Sequence, residues 1–186
     1  RGQSPDCLFL GCSDSRVVPT LFASSEPGDL FIMQNVGNLI PPCSSSGFSA
    51  GDESEPATIE YAIHVLDVNH IIVCGHSDCG AMKAVLKGRE KVKSPHLKSW
   101  LGWIEPAHSH MTGDNPDELS KLNVIEQLKN LQTYPDVQDR IQAGKLQLYG
   151  WWFDVATADV YVHEASRFIL LDETIAKRML MRIRNS

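Results

Sequence analysis

Three short apolar runs, each ended abruptly by polar residues, constrain this chain more than any other feature. They are Cys7-Leu8-Phe9-Leu10-Gly11, Leu30-Phe31-Ile32-Met33 and Ile71-Ile72-Val73-Cys74-Gly75. None alternates polar with apolar residues, so each suits a strand covered on both faces, the pattern of a parallel sheet flanked by helices. Between the second and third runs, Ile59, Ile63 and Leu66 recur at helical spacing, which predicts a helix over 57–66 with Ser54 and Pro56 as start signals. A short helix is predicted after His76 as far as Gly88, and others over 97–111 and 117–132. Residues 146–153 and 159–163 alternate as strands do, and Ile175, Met179 and Ile183 mark a terminal helix. The segment 41–56, rich in Ser, Gly, Pro and acids, reads as a loop. The expected fold is α/β: a mainly parallel central sheet flanked by helices, C-terminal antiparallel strands and a terminal helix, in a single domain over 1–186.

Charge and cysteine usage narrow the function classes. Against 17 Lys and Arg stand 23 Asp and Glu, a net charge of −6, which argues against nucleic acid as a partner because phosphate binding needs a positive field. No apolar run approaches the roughly 18 residues of a membrane-spanning helix. Five cysteines are an odd and sparse set for a disulfide framework, so reduced thiols in a cytoplasmic protein are expected, and with them a metal or catalytic role. The chain opens at Arg1 rather than Met, which leaves room for a preceding segment and for an organelle instead.

Two of the apolar runs lead directly into chemistry. The first runs into Cys12-Ser13-Asp14-Ser15-Arg16, the third into His76-Ser77-Asp78-Cys79-Gly80. Open α/β sheets collect ligands just beyond the carboxyl ends of their strands, where both motifs fall. One turn can present His76 and Cys79 to a single ion, and Cys12 from a neighbouring strand end supplies a third donor. Two thiolates and an imidazole favour zinc. Three protein ligands leave a fourth position for water, as catalytic sites do, whereas a closed structural site would draw a fourth donor from Cys43, Cys74 or Asp14. Each cysteine is also readable as a small buried hydrophobe, and spacing alone leaves these readings open. Asp14 and Arg16 form a local ion pair or helix cap, or else a carboxylate pinned by a forked guanidinium to accept a proton beside the metal.

Together with Pro27-Gly28-Asp29 and Asn35-Val36-Gly37-Asn38, these motifs resemble the β-class carbonic anhydrases, over a span from Gly2-Gln3-Ser4-Pro5 to Gly150-Trp151. The resemblance implies one zinc ion per subunit on Cys12, His76 and Cys79, and reversible hydration of carbon dioxide to bicarbonate and a proton by attack of zinc-bound hydroxide. It implies an Asp14–Arg16 catalytic dyad and substrate contacts from Gln3, Phe31, Val36, Tyr61 and the Gly80 backbone. Gln3, Phe31 and Tyr61 would then come from a neighbouring subunit, in a homodimer or a dimer-based higher oligomer. Carbonyl sulfide and carbon disulfide, linear isosteres of carbon dioxide, are alternative substrates. A non-catalytic zinc-stabilised binding module is the alternative from another class. Some members of the family close at low pH by moving the aspartate onto zinc, with a second bicarbonate held by a tryptophan, an arginine and a tyrosine. Phe9, Gln34 and Phe153 occupy those positions here, so that second site is expected to be absent and Asp14 to stay with Arg16.

Overall fold

The protein is described by a computed structural model, which covers residues 2–176. Among the described residues six strands, β1 (Cys7–Cys12), β2 (Leu30–Asn35), β3 (His70–His76), β4 (Gln147–Phe153), β5 (Val160–Glu164) and β6 (Arg167–Leu170), form one sheet in the order β2-β1-β3-β4-β5-β6. The first four are mutually parallel and β5 and β6 are antiparallel, so the expected fold class holds. The helices that accompany them among the described residues include α1 (Pro19–Phe22), α2 (Ser54–His64), α3 (Gly80–Leu86), α4 (Pro95–Trp100), α5 (Glu105–His108), α6 (Pro116–Leu131) and α7 (Pro135–Gln142). No helix among the described residues is long and apolar enough to cross a membrane.

The two-residue period of the strands divides the core. Leu8, Leu10, Ile71 and Val73 pack with Ile59 and Ile63 of α2 and Val124 and Leu131 of α6. Cys7, Phe9, Ile72 and Cys74 point to the other face, toward Val17, Phe153 and Val160. All residues of β1 are buried, and β3 is buried from Ile71 onward. The second apolar run departs from expectation: no residue of β2 is fully buried, because the strand lies at the edge of the sheet and is covered only in part.

Proline sets several boundaries. It stands in the first turn of α4, α5, α6 and α7, where its missing N–H has no intrahelical partner to lose. The single helix expected over 97–111 is instead α4, a 3₁₀ turn at Leu101–Ile104, and α5, which starts at Glu105 with Pro106 in its first turn. The helix expected over 117–132 is α6, capped by Asn115, whose side chain accepts from the N–H groups of Asp117 and Glu118. Helix α2 starts at Ser54, three residues before the expected 57. Of the residues marking the terminal helix, Met179 and Ile183 lie outside the described residues.

Helix α6 lies so close to β3 that a Cβ at Gly75 would stand 2.8 Å from Ser120 Oγ and 2.8 Å from Val124 Cγ2. Gly75→Ala should therefore destabilise the fold by about 1–3 kcal/mol, the range for overpacking a filled interior. Urea unfolding measures it, and an unchanged midpoint would mean that helix and strand separate without cost.

Candidate metal centre

Parallel pairing carries β1 and β3 to the same end of the sheet, with Gly11 opposite Cys74. Cys12 closes β1 and His76 closes β3. The chain then turns through Asp78, whose φ of +59° is left-handed, and Cys79 leads into α3. The turn brings Cys79 back, so that ligand atoms of Cys12, His76 and Cys79 all lie within 4.8 Å of one another, with the three residues buried. Among the described residues this is the one such cluster, and neither Cys43 nor Cys74 belongs to it. Cys74 packs against Phe9 and Phe153, and Cys43 sits in a small bridge with Ser49.

The imidazole is aimed. His76 Nδ1 lies 2.8 Å from the Ser77 carbonyl oxygen, which makes it the N–H donor and leaves the lone pair on Nε2. Nε2 is buried and has no hydrogen-bond partner. A buried acceptor without a donor is costly, and a cation between it and the two sulfurs removes that cost. The donor set therefore fits a zinc ion. The thiols are tied together as well: a hydrogen bond from Cys79, with the Gly37 N–H, lowers the Cys12 thiol against the opposing effect of burial. The same shared proton and burial push Cys79 up. Burial, with a smaller contribution from the Asp6 charge, lifts Cys7 to about 12, and burial chiefly pushes Cys74 up as well, which leaves both as protonated core residues.

At the rim, Arg16 grips Asp14 with a fork: Nε donates to Oδ1 at 2.9 Å and Nη2 to Oδ2 at 2.8 Å, with the Arg16 backbone N–H also on Oδ1 at 3.0 Å. These bonds hold the Asp14 carboxyl well below the usual carboxylate range. Its Oδ2 lies 4.0 Å from His76 Nε2, beside the cluster without a hydrogen bond to it. Arg16 Nη1 in turn donates to Asp78 Oδ2 at 3.1 Å, and Lys83 pairs with the other Asp78 oxygen.

The remaining expected site residues are distributed unevenly. Val36 is 42% exposed and, with Ser13, Asn35, Glu55, Trp100 and Trp103, lines a cleft of about 850 Å³. Gly80 follows Cys79 as the first residue of α3. Phe31 and Tyr61 face each other with ring centroids 5.7 Å apart, but Phe31 pairs with Leu8 while Cys12 pairs with Asn35. At about 3.3 Å per residue, four positions along a strand put Phe31 roughly 13 Å below the cluster's level. Gln3 is exposed in the N-terminal segment. Phe9 and Phe153 are buried against Phe22, at centroid distances of 5.9 and 4.3 Å. Gln34 is not polar lining but a staple: its Nε2 donates to the carbonyls of Cys12 and Val17, at 2.8 and 3.1 Å, closing the loop that carries Asp14 and Arg16.

Sequence reasoning missed Ser120. Its hydroxyl accepts from the His76 N–H at 3.2 Å, donates to the His76 carbonyl at 2.9 Å and accepts from Trp152 Nε1 at 3.2 Å. The available signal was the uncharged polar series Ser120, Asn123, Gln127 and Asn130, which falls on one face of α6 at helical spacing and is buried throughout.

Residues 7–160 match the family model described as carbonic anhydrase. The chain is 42% identical over 172 residues to a carbonic anhydrase of Synechocystis, covering 88% of this chain and 61% of that protein. It is 40% identical to one of Pseudomonas aeruginosa, over 92% of this chain and 80% of the other. Among solved structures, the β-carbonic anhydrase CcaA superposes with a TM-score of 0.83 at 40% identity, over 92% of this chain and 80% of that one. A tetrameric β-carbonic anhydrase of Sordaria macrospora gives 0.76 at 29% identity, covering 90% and 84%. The chain thus spans about three-fifths of the Synechocystis relative and of a second cyanobacterial one, from Synechococcus elongatus.

The burial of the unused thiols has a direct readout. Iodoacetamide applied to the native protein should modify Cys43 and leave Cys7 and Cys74 intact until denaturant is added, as mapped by peptide mass spectrometry. Native labelling of Cys74 at the Cys43 rate would show that β3 is not packed as described.

Proposed function

Because the chain belongs to the β-carbonic anhydrase family, we propose that it reversibly hydrates carbon dioxide to bicarbonate and a proton, with one zinc ion per subunit on Cys12, His76 and Cys79. The observation that carries this reading is the buried, unpartnered His76 Nε2 grouped with two thiols beside the Asp14–Arg16 fork. Zinc, when bound, would supply Lewis acidity, bringing the pKa of a coordinated water down to about 7. The rest is the work of the chain. The protein would hold the ion through three donors, and both Asp14 oxygens are engaged by Arg16 rather than turned to the cluster, which would leave room for water or substrate at the metal. Asp14 Oδ2, ionised and fixed at the rim, would hold a proton of the attacking oxygen by accepting its hydrogen bond and so orient that oxygen toward carbon. Val36 supplies an apolar wall for a substrate that offers no strong hydrogen bonds, and the Gly80 N–H a donor near the metal.

Gln3, Phe31 and Tyr61 serve the site of a second copy. The position of Phe31, four strand residues from the level of Cys12, with Tyr61 packed against it, supports this, and a homodimer, or a multiple of one, is then the active unit. Five cysteines without a disulfide suit a reducing, cytoplasmic compartment.

Stopped-flow hydration on zinc-loaded protein tests the activity. Cys12→Ser, His76→Ala and Cys79→Ser should each lose bound zinc and fall to the buffer rate, and full zinc with normal turnover in any one removes that residue from the ligand set. Dilution to monomers, followed by sedimentation at the assay concentration, should abolish turnover. A fully active monomer would refute the shared site.

A further inference from the structure

One peptide unit outside both ligand motifs is held from every side. The amide between Val36 and Gly37 points its N–H at Cys12 Sγ, 3.4 Å away. The carbonyl of that amide, on Val36, accepts the indole Nε1–H of Trp100 at 2.7 Å. The next carbonyl, on Gly37, accepts from Asn123 Nδ2 at 3.0 Å. Gln127 Nε2 donates to Asn123 Oδ1 at 2.9 Å and so fixes which way the buried amide faces. Gly37 has a φ of +87°, a backbone point with wide freedom when nothing restrains it.

We infer that Trp100 and Asn123 are positioning residues for Cys12, locking the 36–38 segment so that the Gly37 N–H stays on the Cys12 sulfur. The inference rests on Cys12 being a metal ligand, as proposed above. Trp100 acts through a single amide: a donor on its carbonyl polarises the N–H at its other end, which strengthens the bond to sulfur. Asn123 restrains the following amide, so the glycine cannot swing its N–H away. A hydrogen bond to a thiolate lowers the energy of the sulfur lone pair and orients the ligand, and partners of this kind set metal affinity. Farther along α6, Asn130 holds the Ile40 carbonyl at 2.9 Å. It shares the helix and the burial of Asn123 but reaches that network only through a 3.3 Å bond to Gln127 Oε1, an oxygen that the Ile40 N–H also holds at 2.8 Å, which makes it the control.

The test uses the full chain loaded with one cobalt(II) ion in place of zinc, read by the thiolate-to-metal charge-transfer band and by the rate of metal loss to excess EDTA. Trp100→Phe keeps an aromatic ring and loses only the donor. It and Asn123→Ala should move the band to lower energy and speed metal loss about 10–100-fold. Asn130→Ala should leave band and rate at wild-type values. If Asn123→Ala does not fold, Trp100→Phe decides alone. The inference is overturned if Trp100→Phe keeps the wild-type band and rate, or if Asn130→Ala alters them as far as Asn123→Ala. A wild-type protein that gives no charge-transfer band overturns the metal reading itself and the inference with it, so the two failures are distinguished by the wild type.

Discussion

Parallel neighbours end together, and the candidate site depends on that. In the β1–β3 pairing both strands run from Cys7 opposite His70 to Gly11 opposite Cys74, so Cys12 and His76 emerge at one end of the sheet. Antiparallel pairing of the same six-residue strand would put them about 20 Å apart. β2 and β4 share the direction, so Val36 and Gly37 leave at this end too, as does Asp154 beside Ser77. Parallel strands need long crossovers, and here the crossover from β3 to β4 contains α3 to α7. The helix that seats the site, α6, is therefore a consequence of the strand direction that creates it.

That end of the sheet buries loop backbone, and buried loop backbone has no ladder to satisfy it. Each N–H or C=O left alone there costs about 1–3 kcal/mol. Helix α6 meets the need with Ser120 on both backbone groups of His76, Asn123 on the Gly37 carbonyl, Gln127 on the Ile40 N–H and Asn130 on the Ile40 carbonyl. Tyr134, just beyond the helix, takes the Pro41 carbonyl. The close approach at Gly75 makes this possible, because only a small residue lets the Ser120 hydroxyl reach the strand.

Local sequence carried what is local. The apolar runs of β1 and β3 and the spacing of His76 and Cys79 could be read directly, because each depends on residues a few positions apart. Asp14 and Arg16 are two residues apart and could be read the same way. The edge position of β2 could not, since it depends on which strands pair rather than on the run Leu30–Met33 itself. Helix α7 and strand β6 are short, at eight and four residues, which leaves little pattern to read, and the break at Pro106 lay inside a stretch read as one helix. Trp100 and Asn123 are a different case. They act on main-chain atoms 64 and 86 residues away, and a backbone carbonyl leaves no side-chain signature to match.

Charge decides what the cluster can hold. Asp14 and Asp78 bring two negative charges to the rim, and Arg16 and Lys83 bring two positive ones, in a chain of direct pairs. That rim is balanced by itself. Inside it, Cys12 and Cys79 share a proton, because two bare thiolates buried side by side would repel at low dielectric. A divalent cation removes the conflict: its two charges match two thiolates, and the neutral imidazole adds a bond without adding charge. Asp14, already matched by Arg16, is then not needed to neutralise the ion. Held there by Arg16, it sits at the rim as a hydrogen-bond acceptor, where the proposed chemistry would call for a carboxylate that is charged and oriented.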